Sequence, residues 1–306
     1  MAPLIPRMHL FEIDDQPWFH PWFRARVQAA LTQAWTFRVP VLQRMSAASM
    51  AAQVLCLKLA SSVTDYVFID FCAGGGGPTP FIEASLNAQL ASLSKSADVD
   101  AVRFVLTDLH PHVEDWAKAA AASPNISYEP SPVDAANAPP DLLRKHSTGP
   151  GRSPADRDRK KKVFRLFNLA FHHFDDALAR AILRNTLETS SGFAIFELPD
   201  RTAAGFLTTL VFGVGIMLTA PYYAWAWRSP MTLFWAWVVP VLPFVLVFDG
   251  IVSGLRVRTP EEVEVLLRTC GAEGGAEGWE VRSGRERHLW PCGYLNWIIC
   301  VKKESK

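Results

Sequence analysis

From Thr202 to Phe248, 47 consecutive residues carry one charged side chain, Arg228. A stretch that apolar must leave water, so it constrains the fold more than any other feature of the chain. It divides into 26 uncharged residues, Thr202 to Trp227, and 20 more, Ser229 to Phe248. About 20 residues span the hydrocarbon core of a bilayer, so both pieces are long enough. Arg228-Ser229-Pro230 reads as the turn between them. Tyr222, Tyr223, Trp225 and Trp227 precede that turn and Trp235 and Trp237 follow it, which is the aromatic belt of a bilayer surface. Arg201, Arg256 and Arg258 place positive charge at the other end. Pro240 and Pro243 predict a kink in the second arm. The expectation is an apolar two-helix transmembrane hairpin over 202–252. A shallow hairpin in one leaflet, or an apolar pair that covers the sheet, lines a greasy pocket or forms a dimer, are the alternatives.

The remaining composition is ordinary for a folded domain. Sixty of the other 259 residues are charged, and the net charge is +1. That balance excludes a disordered chain and argues against a nucleic-acid partner. The five cysteines, Cys56, Cys72, Cys270, Cys292 and Cys300, are scattered with no C-x-x-C pair, so neither a disulfide framework nor a metal site is expected. Met1 to Arg7 lacks the basic start and apolar core of a secretory signal. The expectation is a folded domain on the cytosolic side of a membrane, an internal one such as the endoplasmic reticulum in a eukaryote.

Short apolar runs alternate with helical segments on both sides of the window. Tyr66–Phe71, Val102–Asp108, Ile126–Glu129, Val163–Asn168 and Phe193–Leu198 read as strands. Trp279–Arg285 and Tyr294–Lys302 read as a last pair. Helices are expected over 24–35, 46–59, 115–122 and 175–188, and from the Thr259-Pro260-Glu261-Glu262 start signal onward. The sum is an α/β, Rossmann-like sheet. Residues 1–65 form an N-terminal helical cap or lid, 66–201 the cofactor-binding core, 202–252 the hairpin, and 253–306 a C-terminal helix with the final strands. Within the core, 144–162 holds eight Lys/Arg and reads as a solvated, flexible loop.

The first strand runs into Cys72-Ala73-Gly74-Gly75-Gly76-Gly77-Pro78. A dinucleotide fingerprint would need a third glycine where Thr79 stands and an acid about 20 residues on, whereas Asp108 lies 34 beyond Gly74. A phosphate loop would need Gly-Lys-Ser/Thr. The segment Phe68-Ile69-Asp70-Phe71-Cys72-Ala73-Gly74-Gly75-Gly76 instead resembles the first motif of class I S-adenosylmethionine-dependent methyltransferases, with Cys72 at the usual first glycine. The resemblance implies S-adenosyl-L-methionine as cofactor. It also implies Asp108 on the ribose hydroxyls, Asp134 on the adenine amino group, and Asn168 at the end of the fourth strand. Asp70, Cys72, Ala73, Gly74 and Gly76 complete the implied cofactor set, Asp70 facing the sulfonium and ammonium charges. More narrowly, the chain resembles a little-characterised group of fungal and bacterial methyltransferase-domain proteins. The marks are His9-Leu10-Phe11-Glu12 with Gln16-Pro17-Trp18-Phe19, Asn168-x-x-Phe171-His172-His173-Phe174, and Phe248-Asp249-Gly250-x-Val252-Ser253-x-Leu255-Arg256.

Oxygen acceptors need a base, which makes His172 and His173 the first catalytic candidates. Neighbours in sequence point differently, so one of the two faces the site and the other packs. Glu197, ending the fifth strand, is a second candidate base. Asp249 and Arg256 flank the apolar window, where they orient a polar head group or anchor an interface. The expected protein is a membrane-anchored methyltransferase acting on a lipophilic small molecule, with membrane lipid as its other partner. Its alternatives are a methyltransferase-like fold that binds without transferring methyl, or a membrane interaction protein.

Overall fold

The computed structural model describes residues 3–93, 100–147 and 160–303. Seven strands form one sheet: β1 Tyr66–Phe71, β2 Arg103–Thr107, β3 Ile126–Tyr128, β4 Lys162–Asn168, β5 Gly192–Glu197, β6 Trp279–Leu289 and β7 Gly293–Lys302. Their order is β3-β2-β1-β4-β5-β7-β6. The first five run parallel, and β7 is antiparallel to both β5 and β6. This is the Rossmann-like α/β architecture read from the sequence.

The apolar runs alternate only in direction, because both faces of a parallel sheet are covered by helices. Val67, Ile69 and Phe71 join Phe167, Phe193 and Ile195 on one face. Tyr66, Phe68, Phe104, Phe164 and Leu166 form the other. The first face is covered by α6 (Asp176–Thr189) and α10 (Pro260–Thr269), the second by α2 (Ala47–Leu59) and α3 (Thr79–Leu93). Helix starts follow local chemistry. Asp175 accepts the Leu178 N–H at 2.8 Å. Thr259 and Glu262 form a reciprocal capping box behind Pro260. Helix α4 is Val113–Ala122, and α5, Pro140–Ser147, was not anticipated. It makes residues 144–147 helical rather than loop, and β4 already includes Lys162; residues 148–159 lie outside the described residues.

The N-terminal 65 residues are not one cap. Helix α2 is sheet covering, whereas α1 (Pro21–Thr36) packs on the apolar insert. Phe19, Val27 and Ala30 meet Val245 and Leu246, and Phe23 lies 5.3 Å from Trp235.

The insert leaves β5 through α7 (Ala203–Ala226), 24 residues with Leu207, Leu210, Val214, Leu218 and Trp225 exposed. It returns through α8 (Pro230–Leu233), a wide turn over Phe234–Val238, and α9 (Val241–Arg256). The returning arm bends by 66° at the Val239–Pro240 break, more than the kink its prolines suggested. It is thus a broken arm rather than a second straight span, and α9 runs to Arg256, past the expected boundary at 252. Helices α7 and α9 approach closely at Gly213, where a Cβ would lie 2.3 Å from Val247 Cγ2. By length and composition two helices could cross a membrane, residues 203–226 and 47–65, the latter half buried inside the fold.

Candidate functional site

Parallel strands deliver their C-terminal ends to one edge, and ligands of such sheets bind there, at the point where strand order reverses. That point is the gap between β1 and β4. The loop after β1 turns tightly, with Gly74 at φ +50° and Gly76 at φ +102°. These left-handed values suit a residue without Cβ. A Cβ on Gly74 would meet nothing within 4 Å, so the backbone there borders open space. Cys72 is absent from the positive-φ residues, so its side chain is tolerated where the family pattern has glycine. Ala73 donates to the Thr107 carbonyl at 3.1 Å and is itself buried, and Trp116 Nε1 donates to the Gly74 carbonyl at 2.8 Å. The loop is therefore held from beneath by β2 and α4.

Carboxylates gather around this loop. Asp108, just past β2, accepts the Gly74 N–H at 2.9 Å and the His110 N–H at 2.8 Å. Asp134 is exposed and accepts the Ala136 N–H at 2.8 Å, making a turn of its own. Burial, reinforced by the negative charge of Asp108, Asp70 and Asp134, pushes the Cys72 thiol well above its usual range.

Asp70 is not part of that open surface. It is 1% exposed; its Oδ2 accepts the Thr79 hydroxyl and, at 3.2 Å, Asn168 Nδ2. Asn168 Nδ2 also donates to Thr79 Oγ1 at 2.9 Å. Burial raises Asp70 to about 7 against those hydrogen bonds. In this arrangement Asp70 pins the start of α3 and the end of β4 to β1. Asn168 links β4 to Asp70 and Thr79 through its Nδ2, and its Oδ1 is buried without a hydrogen-bond partner.

Beyond Asn168 the chain is strained. Leu169 has φ +53°, costly for a branched side chain, and the residues after it form a short 3-10 turn, Phe171–His173. This turn presents the two histidines differently, as the sequence suggested. His172 is 2% exposed. Its Nδ1 lies 2.9 Å from Glu197 Oε2, and its N–H donates to Glu197 Oε1 at 3.2 Å. Burial lowers His172 and raises Glu197, so the uncharged forms are favoured in this pair. Glu197 is therefore engaged by His172 and not a free base. His173 is the accessible one, its side chain 36% exposed, with Nδ1 3.3 Å from Asp15 Oδ2.

The N-terminal segment and the exit of the hairpin complete the cluster. Arg256 Nη1 contacts Glu12 Oε1 at 2.9 Å and Asp15 Oδ2 at 3.2 Å, and Ser253 Oγ donates to Glu12 at 3.0 Å. Asp249 accepts the Ile13 and Asp14 N–H groups at 2.7 and 2.9 Å. Burial pushes Glu12 up to about 7 against the pull of His173 and Arg256. For Asp15 burial also pushes upward, but hydrogen bonds from His173 and Arg256 win and hold it at about 2. The three sequence marks, around Glu12, around His172–His173 and around Asp249–Arg256, thus converge on one site. Asp15 was missed, and Glu12 was quoted only as a mark; their signal was an acid pair in an aromatic, proline-rich segment, which no periodicity rule reads. Beside the cluster, a cavity of about 520 Å³ opens at the root of α7, lined by Glu197, Arg201, Val257, Arg258, Arg285 and Trp297 among others.

No family model and no curated protein matches the chain. Solved structures do match at low identity. The methyltransferase domain of bacterial CtHen1-CN is 11% identical with a TM-score of 0.40, over 83% of this chain and 98% of that one. A putative Zn-dependent alcohol dehydrogenase from Rhodobacter sphaeroides is 12% identical with a TM-score of 0.45, over 92% and 98%. Coclaurine N-methyltransferase, bound to N-methylheliamine and SAH, is 9% identical with a TM-score of 0.40, over 96% and 83%.

Proposed function

We propose that the protein is an S-adenosylmethionine-dependent methyltransferase, embedded in a membrane through its apolar insert, that methylates a lipophilic small molecule. The observation that carries the reading is the cup at the β1–β4 switch point: a glycine turn open at Gly74, ringed by Asp108, Asp134 and the Cys72 thiol. This donor set fits the cofactor, which presents hydroxyl, amino and cationic groups to the acceptor-only carboxylates. When bound, the cofactor supplies an electrophilic methyl group on a sulfonium. Asp108 accepts from the ribose hydroxyls and Asp134 from the adenine amino group, while the loop backbone lets the ligand approach. His173, oriented by Asp15, takes the proton of an acceptor hydroxyl, and proximity supplies most of the acceleration. Glu12 and Arg256 tie the N-terminal segment over that edge and exclude water.

The membrane part rests on the exposed apolar face of α7 together with the aromatic end of the hairpin. Arg26 lies 4.9 Å from the rings of both Trp22 and Trp227, an arrangement suited to an interface where a cation meets indoles. The cavity at the root of α7, apolar on one side and arginine-lined on the other, suits an amphiphilic acceptor that arrives along the hairpin.

Calorimetry with the detergent-solubilised full chain tests the cofactor: S-adenosylmethionine and its demethylated product should each bind at one site. Absence of both kinds of binding overturns the proposal. Binding without transfer of labelled methyl to any membrane extract component would support a ligand-binding role instead.

A further inference from the structure

From the geometry beside the cofactor edge we infer that Glu12, His172 and His173 form a binding site for a divalent transition-metal cation. One carboxylate oxygen and one nitrogen from each imidazole all lie within 4.8 Å of one another. Ligands about 2.1 Å from a shared ion sit about 3–3.5 Å apart, so modest side-chain adjustment closes the set. His172 Nε2 lies 3.8 Å from Glu12 Oε1, too far for a hydrogen bond, while the same ring's Nδ1 is held at 2.9 Å by Glu197. That is the outer arrangement of metal-binding histidines: one nitrogen anchored to a carboxylate, the other presented to the ion. The two imidazole rings sit with centroids 4.2 Å apart and 35° between planes, side by side rather than opposed. Asp15, 3.3 Å from His173 Nδ1, plays the corresponding outer part for the second ring.

The site is already charged: Arg256 Nη1 lies 2.9 Å from Glu12 Oε1, 3.2 Å from Asp15 Oδ2 and 3.4 Å from His173 Nδ1. A dication would therefore displace the guanidinium from Glu12, the carboxylate for which both compete. Two imidazoles and one carboxylate select a first-row ion such as Mn²⁺, Fe²⁺ or Zn²⁺ over Mg²⁺ or Ca²⁺. The set leaves coordination positions open, as sites that meet a substrate require. Under the methyltransferase reading, on which this role rests, a bound cation would replace His173 as the group that activates the acceptor oxygen, whose proton then leaves to water.

The test is direct binding by the full chain in detergent, stripped with chelator and titrated with Mn²⁺ by electron paramagnetic resonance and with Zn²⁺ by calorimetry. One equivalent should bind. Affinity should fall by about 10–100-fold in Glu197→Gln, where only the outer anchor changes. It should be lost in His173→Ala and Glu12→Gln, whose melting temperatures without cation confirm that they fold. No saturable binding at millimolar cation, or binding unchanged in His173→Ala and Glu12→Gln, overturns the inference. Calorimetry of the demethylated cofactor on the same samples separates the two claims. If that product binds and no cation does, this inference alone is wrong. If a cation binds and the product does not, the cofactor reading is wrong.

Discussion

Replacing Asp70 distinguishes a fold-holding carboxylate from one that touches the cofactor. Asp70→Ala removes the acceptor for the Thr79 hydroxyl and for Asn168 Nδ2, both in a site where Asp70 itself is 1% exposed. A buried donor left without a partner costs about 1–3 kcal/mol; the Thr79 hydroxyl loses its acceptor while Asn168 Nδ2 keeps Thr79 Oγ1, so the loss should cost about 1–3 kcal/mol. Each kcal/mol lowers the melting temperature by about 2 °C in a chain of this size, which predicts a drop of about 2–6 °C. Asp70→Asn keeps one oxygen for both donors, and only the long Cys72 N–H contact at 3.4 Å is disturbed. Its melting temperature should stay within about 2 °C of the parent. The assay is thermal unfolding in detergent at pH 6, with calorimetry of the demethylated cofactor on the same preparations. Asp70→Asn should also bind that product nearly as well as the parent. If Asp70→Ala melts like the parent while both variants lose binding, Asp70 faces the ligand and the reasoning is refuted.

Other consequences are equally concrete. Asp108→Ala should weaken cofactor binding by about 10–100-fold, the loss of one charge-assisted pair of hydrogen bonds, with little change in melting temperature; unchanged affinity would remove Asp108 from the site. His173→Ala should cut turnover by about 10²–10⁴-fold at unchanged cofactor affinity, whereas His172→Ala, inside the fold, should lower the melting temperature as well. Asp70 and Glu197 are raised by burial to about 7 and about 8, so the folded state holds protons that the unfolded chain has already released. Their contribution is present at low pH and fades as pH rises through those values. His172 is lowered by burial to about 3 and acts oppositely, but only below the ordinary histidine range. Melting temperature should therefore fall between about pH 6.5 and 8, less steeply in Asp70→Asn; a rise over that window would show the signs to be wrong. Gly213→Leu should force α7 from α9 at Val247 and cost about 1–3 kcal/mol while cofactor binding persists, read by melting and calorimetry together.

The strands were readable because short apolar runs bounded by glycine, proline or a terminal acid have few alternatives. Asp108 and Asn168 were found because they end such runs, and Asp70 because it stands in the segment that resembles the methyltransferase motif. Helix α5 was not, since Pro140–Ser147 carries its helix signal in only eight residues beside a basic segment. The partition of the N-terminus was also hidden: α1, with two arginines and two tryptophans, and the alanine- and leucine-rich α2 both read simply as helices, and packing sends the first mainly to the apolar insert and the second to the sheet. The break at Val239–Pro240 was half legible, as two prolines announce a disturbance but not a 66° bend. Asp15 was illegible because its role comes from residues 158 and 241 positions away, His173 and Arg256.

By itself, the sequence determined the α/β alternation, the glycine turn after β1, the acids at strand ends and the need to remove residues 202–248 from water. These follow from local periodicity and from the cost of hydrating apolar surface, both of which act along the chain. Tertiary structure alone decided which carboxylate is spent on the fold and which faces outward. It buried Asp70 against Thr79 and Asn168, left Asp108 beside the loop, hid His172 behind Glu197 and exposed His173. The same residue types received different work because burial and partners, rather than identity, set the charge and reach of a side chain.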